Sequence, residues 1–311
     1  MTKNNQKKHY YSLKHISLSI AFVLLPFLSS CSGDDTVEEP TNIYLEIPDP
    51  QFEAKLIELG IDTDGQVNQQ MLRSDAKKVT HLDLNTSTQT EEIEDLTGIE
   101  GFTELTFLRA SNQKIAEISL ASLTQLDTLQ LSNNLLTHID LSENVNLIYA
   151  DIHFNELSSI SGLSNISGLK QLDLSWNQFE NISIDNSSVE VLFVSYNELS
   201  SLDVSKATGL KSLIANINKL TSIDIRNNRS LETVVLSANE IQQIDLQHNL
   251  ALSHLYISSN LLNSLDVSQN PALVDLRVHG NTTLGCIKIA EDQSIPTVSL
   301  SGDQQLNTNC N

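Results

Sequence analysis

The fold class predicted here is a repeat solenoid: a curved right-handed coil, horseshoe-like, with a parallel β-sheet on its concave face. Three observations predict it. Asparagines recur at a near-constant step: Asn134, Asn155, Asn177, Asn197, Asn218, Asn239, Asn260 and Asn281. The steps are 21 residues, apart from one of 22 and one of 20 around Asn177. Ahead of each Asn stands one apolar pattern: Leu126, Leu129 and Leu131 before Asn134, then Leu147, Ala150 and Ile152 before Asn155. Behind it comes a second alternation: Ile139-Asp140-Leu141, Leu202-Asp203-Val204, Ile223-Asp224-Ile225, Ile244-Asp245-Leu246 and Leu265-Asp266-Val267. We read these as short extended segments on the opposite side of the coil.

The motif L-x-x-L-x-L-x-x-N-x-L resembles the leucine-rich repeat over roughly two thirds of the chain. The piece Ile160 to Leu169, Ile-Ser-Gly-Leu-Ser-Asn-Ile-Ser-Gly-Leu, resembles the internalin-type repeat, so the array mixes two kinds. In such an array the leucines point inward and the residues between them point out. One coil cannot bury its own leucines, so its neighbours complete the core. Each fully buried Leu or Ile contributes ~1.5–3 kcal/mol. Several per coil offset the entropy of ordering it. The Asn stands where the chain turns inward from the strand. Its amide both donates and accepts, so a column of Asn is expected to tie the turns of adjacent coils together, as structure and not as a ligand set.

The elements follow in order. Residues 1–30 read as a signal peptide. Lys3, Lys7, Lys8 and Lys14 precede an apolar run from Ile16 to Leu28, interrupted by Pro26. About 13 residues is too short for a spanning helix, which needs ~20. The sequence Leu28-Ser29-Ser30-Cys31 resembles the lipobox of bacterial lipoproteins, which implies that Cys31 carries lipid. Residues 31–48 read as an acidic tether, with Asp34, Asp35, Glu38 and Glu39. This stretch resembles surface-export signals of Bacteroidota lipoproteins; a tether that merely keeps the anchor solvated is the alternative. Residues 49–78 read as a small helical N-terminal cap. Phe52, Leu56 and Leu59 fall at helical spacing before Gly60, and a second helix is expected from Val67 to Lys78.

Residues 79–285 hold the repeats. The first strand is expected at 79–84, with Ser87 where Asn would stand, and Gln113 takes that place in the next unit. Residues 286–311 read as a C-terminal cap resembling the cysteine-bearing end of Bacteroidota surface leucine-rich-repeat proteins. With Cys31 lipidated, Cys286 and Cys310 remain, and an even pair in an exported protein reads as a disulfide. Closing such a loop stabilises by ~3 kcal/mol. No separate sorting or enzyme domain is expected after it.

The charge excludes one class of partner. The net charge is −21. Removing the four leader lysines leaves 14 basic against 39 acidic residues, a net −25. Such a surface repels phosphate backbones, so nucleic acid is not an expected partner. The membrane is expected to be reached through the lipid anchor only, and a monomer is expected.

Catalytic motifs are missing: there is no H-E-x-x-H, no G-x-S-x-G and no glycine-rich phosphate loop. One coincidence is Ser258, His254, Asp275 and His279, which stacking brings together near the end of the sheet. Strands with paired N–H groups offer no oxyanion hole, so no enzyme is expected, and no cofactor. Asp62-Thr63-Asp64-Gly65-Gln66 resembles the opening of a calcium loop, but Arg73 stands where a bidentate Glu is needed. A polar turn between two helices is the simpler reading. The column Asp203, Asp224, Asp245 and Asp266 reads as solvated carboxylates, with weak divalent-ion binding as the other reading. No metal site is expected.

The concave face is the expected binding surface. Its central outward column runs Arg109, Gln130, Asp151, Asp173, Phe193, Ile214, Val235, Tyr256 and Arg277. Phe193, Ile214, Val235 and Tyr256 form an apolar stripe where polar residues would be ordinary, and the column beside it adds Tyr149. Strand propensity alone favours these residue types; an exposed apolar stripe flanked by charge otherwise marks an interaction surface. The expectation is a surface-exposed outer-membrane lipoprotein that binds a protein or glycan through Phe193, Ile214, Val235, Tyr256, Arg277, Tyr149, Asp151 and Asp173. The alternative is an envelope scaffold without a dedicated ligand. The repeat fold does not choose between them.

Overall fold

A computed structural model of the chain describes residues 42–85 and 92–310. The expected signal peptide, Cys31, most of the tether and Ser87 lie outside the described residues.

One coil after another contributes a three-residue strand to a parallel sheet of eleven. The strands begin at His81–Asp83, Phe107–Arg109 and Thr128–Gln130 and end at Asp275–Arg277 and Thr297–Ser299. Each middle residue points into the core: Leu172, Leu192, Leu213, Val234, Leu255 and Leu276 are all fully buried. These residues pair in an unbroken row, Leu172 with Leu192, Leu192 with Leu213 and so on to Leu276. The 22- and 20-residue steps leave that row intact, because the length change is taken up away from the sheet. On the longer coil, Gly162 at φ +84° starts a short 3-10 turn, Leu163–Asn165. A Cβ on Gly162 would sit 2.2 Å from the Ser142 nitrogen, so the turn demands glycine.

The opposite side is less regular. Short ladders join His138–Asp140 to Ser159–Ser161, Asn181–Ser183 to Ser201–Asp203, and Leu265–Asp266 through Cys286–Lys288 to Gln305–Asn307. The expected extended segments at Ile223–Ile225 and Ile244–Leu246 join no ladder. Their aspartates instead close local turns: Asp224 accepts from the Arg226 N–H and Asp245 from the Gln247 N–H. Asp203 and Asp266 do the same for Ser205 and Ser268. The acidic column is thus a row of turn acceptors, and two of its members also carry counterions, Arg226 on Asp224 and Lys288 on Asp266.

The N-terminal cap differs from the expected pair of helices. The first helix is present, α1 at Pro50–Glu58, capped by Asp49. The segment expected as a second helix is a strand, Gln70–Leu72, followed by one helical turn, Arg73–Ala76. That strand pairs antiparallel with Tyr44–Glu46, inside the stretch expected to be tether. Leu45, Ile47 and Met71 are buried there and join the continuous core, so burial of this ribbon overrides the helical spacing. Two carboxylates organise the cap. Asp49 accepts from the N–H groups of Gln51, Phe52, Glu94 and Asp95. Glu53, fully buried, accepts from Asn68, Gln69 and Gln70. At the other end Cys286 and Cys310 form a disulfide, with Cα atoms 5.7 Å apart.

Candidate functional site

Two rows of amides hold the coils in place. Each Asn of the expected series donates to at least two carbonyls and accepts from one N–H. Asn239 donates to the carbonyls of Ala215 and Leu236, both at 3.0 Å, and accepts from the Leu220 N–H at 3.0 Å. Asn134, Asn155, Asn177, Asn197, Asn218, Asn260 and Asn281 repeat this arrangement, each accepting from an N–H of the preceding coil. Gln113 accepts in the same way from Ile93.

The second row was not foreseen. Asn144, Asn186, Asn228, Asn249 and Asn270 are buried on the far side of the core. Each donates to two carbonyls of the coil before it, as Asn249 does to Ile225 and Asn228. The Oδ1 atoms of Asn144, Asn228, Asn249 and Asn270 have no partner. The spacing signal is broken, because Ile166 and Ala207 occupy the matching places.

The outward columns of the concave face stack as the repeat spacing requires. Arg109, Gln130, Asp151, Asp173, Phe193, Ile214, Val235, Tyr256 and Arg277 are direct cross-strand neighbours in that order. The apolar stripe is half-buried, not exposed as expected, since each side chain leans on those of the adjacent strands. Its end is fastened. The Tyr256 hydroxyl donates to Asp275 at 2.9 Å, and the Arg277 guanidinium lies 4.2 Å above the Tyr256 ring. Burial, then the Asp275 contact, pushes the Tyr256 phenol up. Asp275 is therefore engaged by Tyr256 and Arg277. His254 bonds to Ser253 at 2.8 Å, and His279 lies between Ser258 at 3.2 Å and Ser299 at 3.0 Å. Among the described residues His279 makes no hydrogen bond to Asp275, so the serine, histidine and aspartate do not assemble into a relay. The Asp62–Gln66 segment forms a polar turn, with Gln66 and Asn68 bonded to Asp64. Burial raises the Asp62 carboxyl.

A further column had no sequence-based expectation. Each coil leaves the sheet through one residue of positive φ immediately before the ladder Asn, and side chains there project outward. Phe154, Trp176, Tyr196 and Ile217 hold φ values of 52° to 57°. Such backbone is uncommon for bulky residues. Their rings stack: Phe154 on Trp176 at 4.7 Å and 13°, Trp176 on Tyr196 at 3.7 Å and 9°. The ridge is 37% to 45% exposed, more so than the central stripe. The available signal was an aromatic residue before the Asn in three consecutive repeats, His-Phe-Asn, Ser-Trp-Asn and Ser-Tyr-Asn.

Beside the ridge, Asp151 and Asp173 face each other across neighbouring strands, and His153 follows Asp151 in the next outward column. His153 Nδ1 contacts Asp151 Oδ1, and one donor atom from each of the three side chains lies within 4.8 Å of the other two. Asp173 accepts from the Ser175 N–H at 2.9 Å. Burial raises the Asp173 carboxyl above the usual range. Tyr149 is half-buried on the same strand as Asp151, its phenol pushed up first by burial and then by Asp151 and Asp173.

With this geometry established, comparison places the chain among known folds. No protein-family model matches it. The chain is 33% identical to lumican of Rattus norvegicus over 112 residues, 34% of this chain and 33% of lumican. The match thus spans about a third of the curated relative's length. The structure is similar to YopM, a leucine-rich effector protein of Yersinia pestis, with 22% identity, 84% of this chain, 66% of that one and a TM-score of 0.59. It is similar to the functional domain of InlJ from Listeria monocytogenes, with 21% identity, 85% and 71% coverage and a TM-score of 0.52. A third similar structure is the LRIM1/APL1C complex, with 26% identity, 69% and 45% coverage and a TM-score of 0.53. The eleven-stranded parallel solenoid, its stacked amides and these likenesses together show that the chain has the leucine-rich-repeat fold.

Proposed function

We propose that this chain is a non-catalytic recognition protein, lipid-anchored through Cys31 and displayed on a bacterial outer membrane, which binds a protein or glycan ligand on its concave sheet. The observation that carries the reading is the continuous outward column in which Phe193, Ile214, Val235 and Tyr256 lie in register. A broad, shallow, half-apolar surface of this kind suits a macromolecular partner better than a small molecule, which needs an enclosed pocket. The similarity to the LRIM1/APL1C complex supports a protein as that partner. A strongly acidic chain favours a neutral or cationic ligand. Against catalysis stands the engagement of Asp275 by Tyr256 and Arg277. No helix among the described residues is long and apolar enough to cross a membrane, and the lipid on Cys31 would supply the attachment.

The half-burial of the stripe favours a second reading, an envelope scaffold in which these residues serve sheet packing alone. One experiment separates them. The purified chain from Ser32 to Asn311 is tested on arrays of extracellular-matrix proteins and glycans, alongside Phe193→Ser/Tyr256→Ser. A defined ligand bound by the parent and lost by the variant at unchanged circular dichroism supports recognition. No ligand on either array, or equal binding by both proteins, supports the scaffold.

A further inference from the structure

We propose that Asp151, His153 and Asp173 form a binding site for one divalent ion of the zinc type on the concave face. The proposal goes beyond the recognition surface and needs no macromolecular ligand. It starts from donor chemistry. One imidazole nitrogen and two carboxylate oxygens from separate side chains make a mixed set, which suits Zn²⁺ and its neighbours better than the all-oxygen preference of Ca²⁺ or Mg²⁺.

Geometry is the second support. Zinc bonds to nitrogen and oxygen run ~2.0–2.2 Å, which makes the ligand edges of a tetrahedron ~3.4 Å. The three donor atoms already lie within 4.8 Å of one another. Small side-chain rotations therefore close the tripod without moving backbone, which the sheet ladder fixes. The strands also constrain the donors, because Asp151 and Asp173 are direct cross-strand partners.

Charge is the third and independent support. Elsewhere on this face aspartates carry an arginine, as Asp83 does with Arg109 and Asp275 with Arg277. Among the described residues no lysine or arginine pairs with Asp151 or Asp173, and the recorded charged contact of Asp151 is His153. Two like charges in register, half-buried and without a fixed cation, repel. A divalent ion held by these donors removes that repulsion. Three protein ligands leave the fourth position of a tetrahedral ion open toward the concavity.

The chain carries its own reporter. Trp176 is its single tryptophan. Its ring stacks on Phe154, the residue after His153, and it follows Ser175, whose N–H holds Asp173. The test uses the chelator-treated mature protein, titrated with Zn²⁺ by calorimetry and with Co²⁺ by quenching of Trp176 fluorescence. The expected result is one Zn²⁺ per chain, Co²⁺ quenching reversed by Zn²⁺, and affinity lowered more than tenfold in His153→Gln and in Asp173→Asn. His138→Gln, on the opposite side of the coil, is expected to bind as the parent does. Tyr256→Ser, four strands from Asp173, is also expected to keep Zn²⁺, so loss of the macromolecular ligand and loss of the metal are read apart. Circular dichroism shows that the variants are folded. Failure of the parent to bind Zn²⁺, or binding unchanged in both site variants, overturns the site.

Discussion

Replacing Asn239 with Ala is expected to cost far more stability than replacing Asn249, although both amides are buried and neutral. The bonds decide this. Loss of Asn239 removes the acceptor of the Leu220 N–H. The two carbonyls it served keep other donors, Ala215 from Asn218 and Leu236 from Asn260. The cost is one orphaned buried N–H plus two modest hydrogen bonds, about 3 kcal/mol in all. Asn249 differs in every respect. Its Oδ1 has no partner, and the carbonyls it serves keep backbone donors, Ile225 from the Asn228 N–H and Asn228 from the Leu231 N–H. Alanine there orphans nothing and deletes an unsatisfied oxygen, so the cost is about 1 kcal/mol. The chain already holds Ala207 at the matching place one coil before Asn228. Urea unfolding followed by circular dichroism, with midpoints and slopes compared, measures both. An Asn249→Ala variant as damaged as Asn239→Ala would refute the argument that the unpaired N–H sets the cost.

Four further outcomes are expected. Cys31→Ala releases the protein from the membrane fraction or leaves its leader uncleaved, as seen in detergent partitioning; unchanged partitioning would defeat the lipid anchor. Reduction of the Cys286–Cys310 bond, or Cys310→Ser, lowers the unfolding midpoint by an amount corresponding to ~3 kcal/mol, whereas an unchanged midpoint would show that the terminal coil does not depend on it. Asp49→Ala removes acceptors from four backbone N–H groups and is expected to unfold the cap first, read as fast amide exchange in α1; protection equal to the parent's would count against it. Glu190 bridges Lys170 at 2.8 Å and Lys211 at 2.6 Å, and those contacts lower its carboxyl to about 2 from an ordinary 4.5. A depressed folded pKa gives stability that is present above 4.5 and lost as pH falls through about 2. Glu190→Gln is therefore expected to flatten slightly the acid side of the melting-temperature profile; an acid branch identical to the parent's would dismiss the bridge as solvent-screened.

What the sequence showed and what it hid have physical causes. The sheet was legible because inward leucines and the ladder Asn recur at one step, and a one-residue slip would turn every Leu toward solvent. The columns of the concave face followed from that register. The second amide row was illegible because Ile166 and Ala207 interrupt it, and because the Oδ1 atoms of Asn144, Asn228, Asn249 and Asn270 have no partner that would fix the spacing. The aromatic ridge left a signal, an aromatic residue before the Asn in three consecutive repeats, but its outward projection depends on the positive φ at Phe154, Trp176 and Tyr196, a backbone state that bulky residues do not announce. Nothing in the sequence marks His153 above the polar residues around it; the turn after the strand brings its ring onto Asp151. In the cap, Met71 and Leu72 fit a helix as well as a strand, and the partner that settled the matter, Tyr44–Glu46, lay in sequence that read as tether.

The unbroken register of Phe193, Ile214, Val235 and Tyr256 also makes the concave face a ruler. Its graduations are the strand spacing, ~4.8 Å. An extended peptide crossing the strands presents same-side residues every ~6.7 Å, and so falls out of step by more than one whole strand after three graduations. An α-helix advances ~5.4 Å per turn and drifts by less than 2 Å over the same distance. A partner that meets this stripe side chain for side chain is therefore commensurate with it as a helix or as another stacked repeat, and incommensurate as a single extended strand.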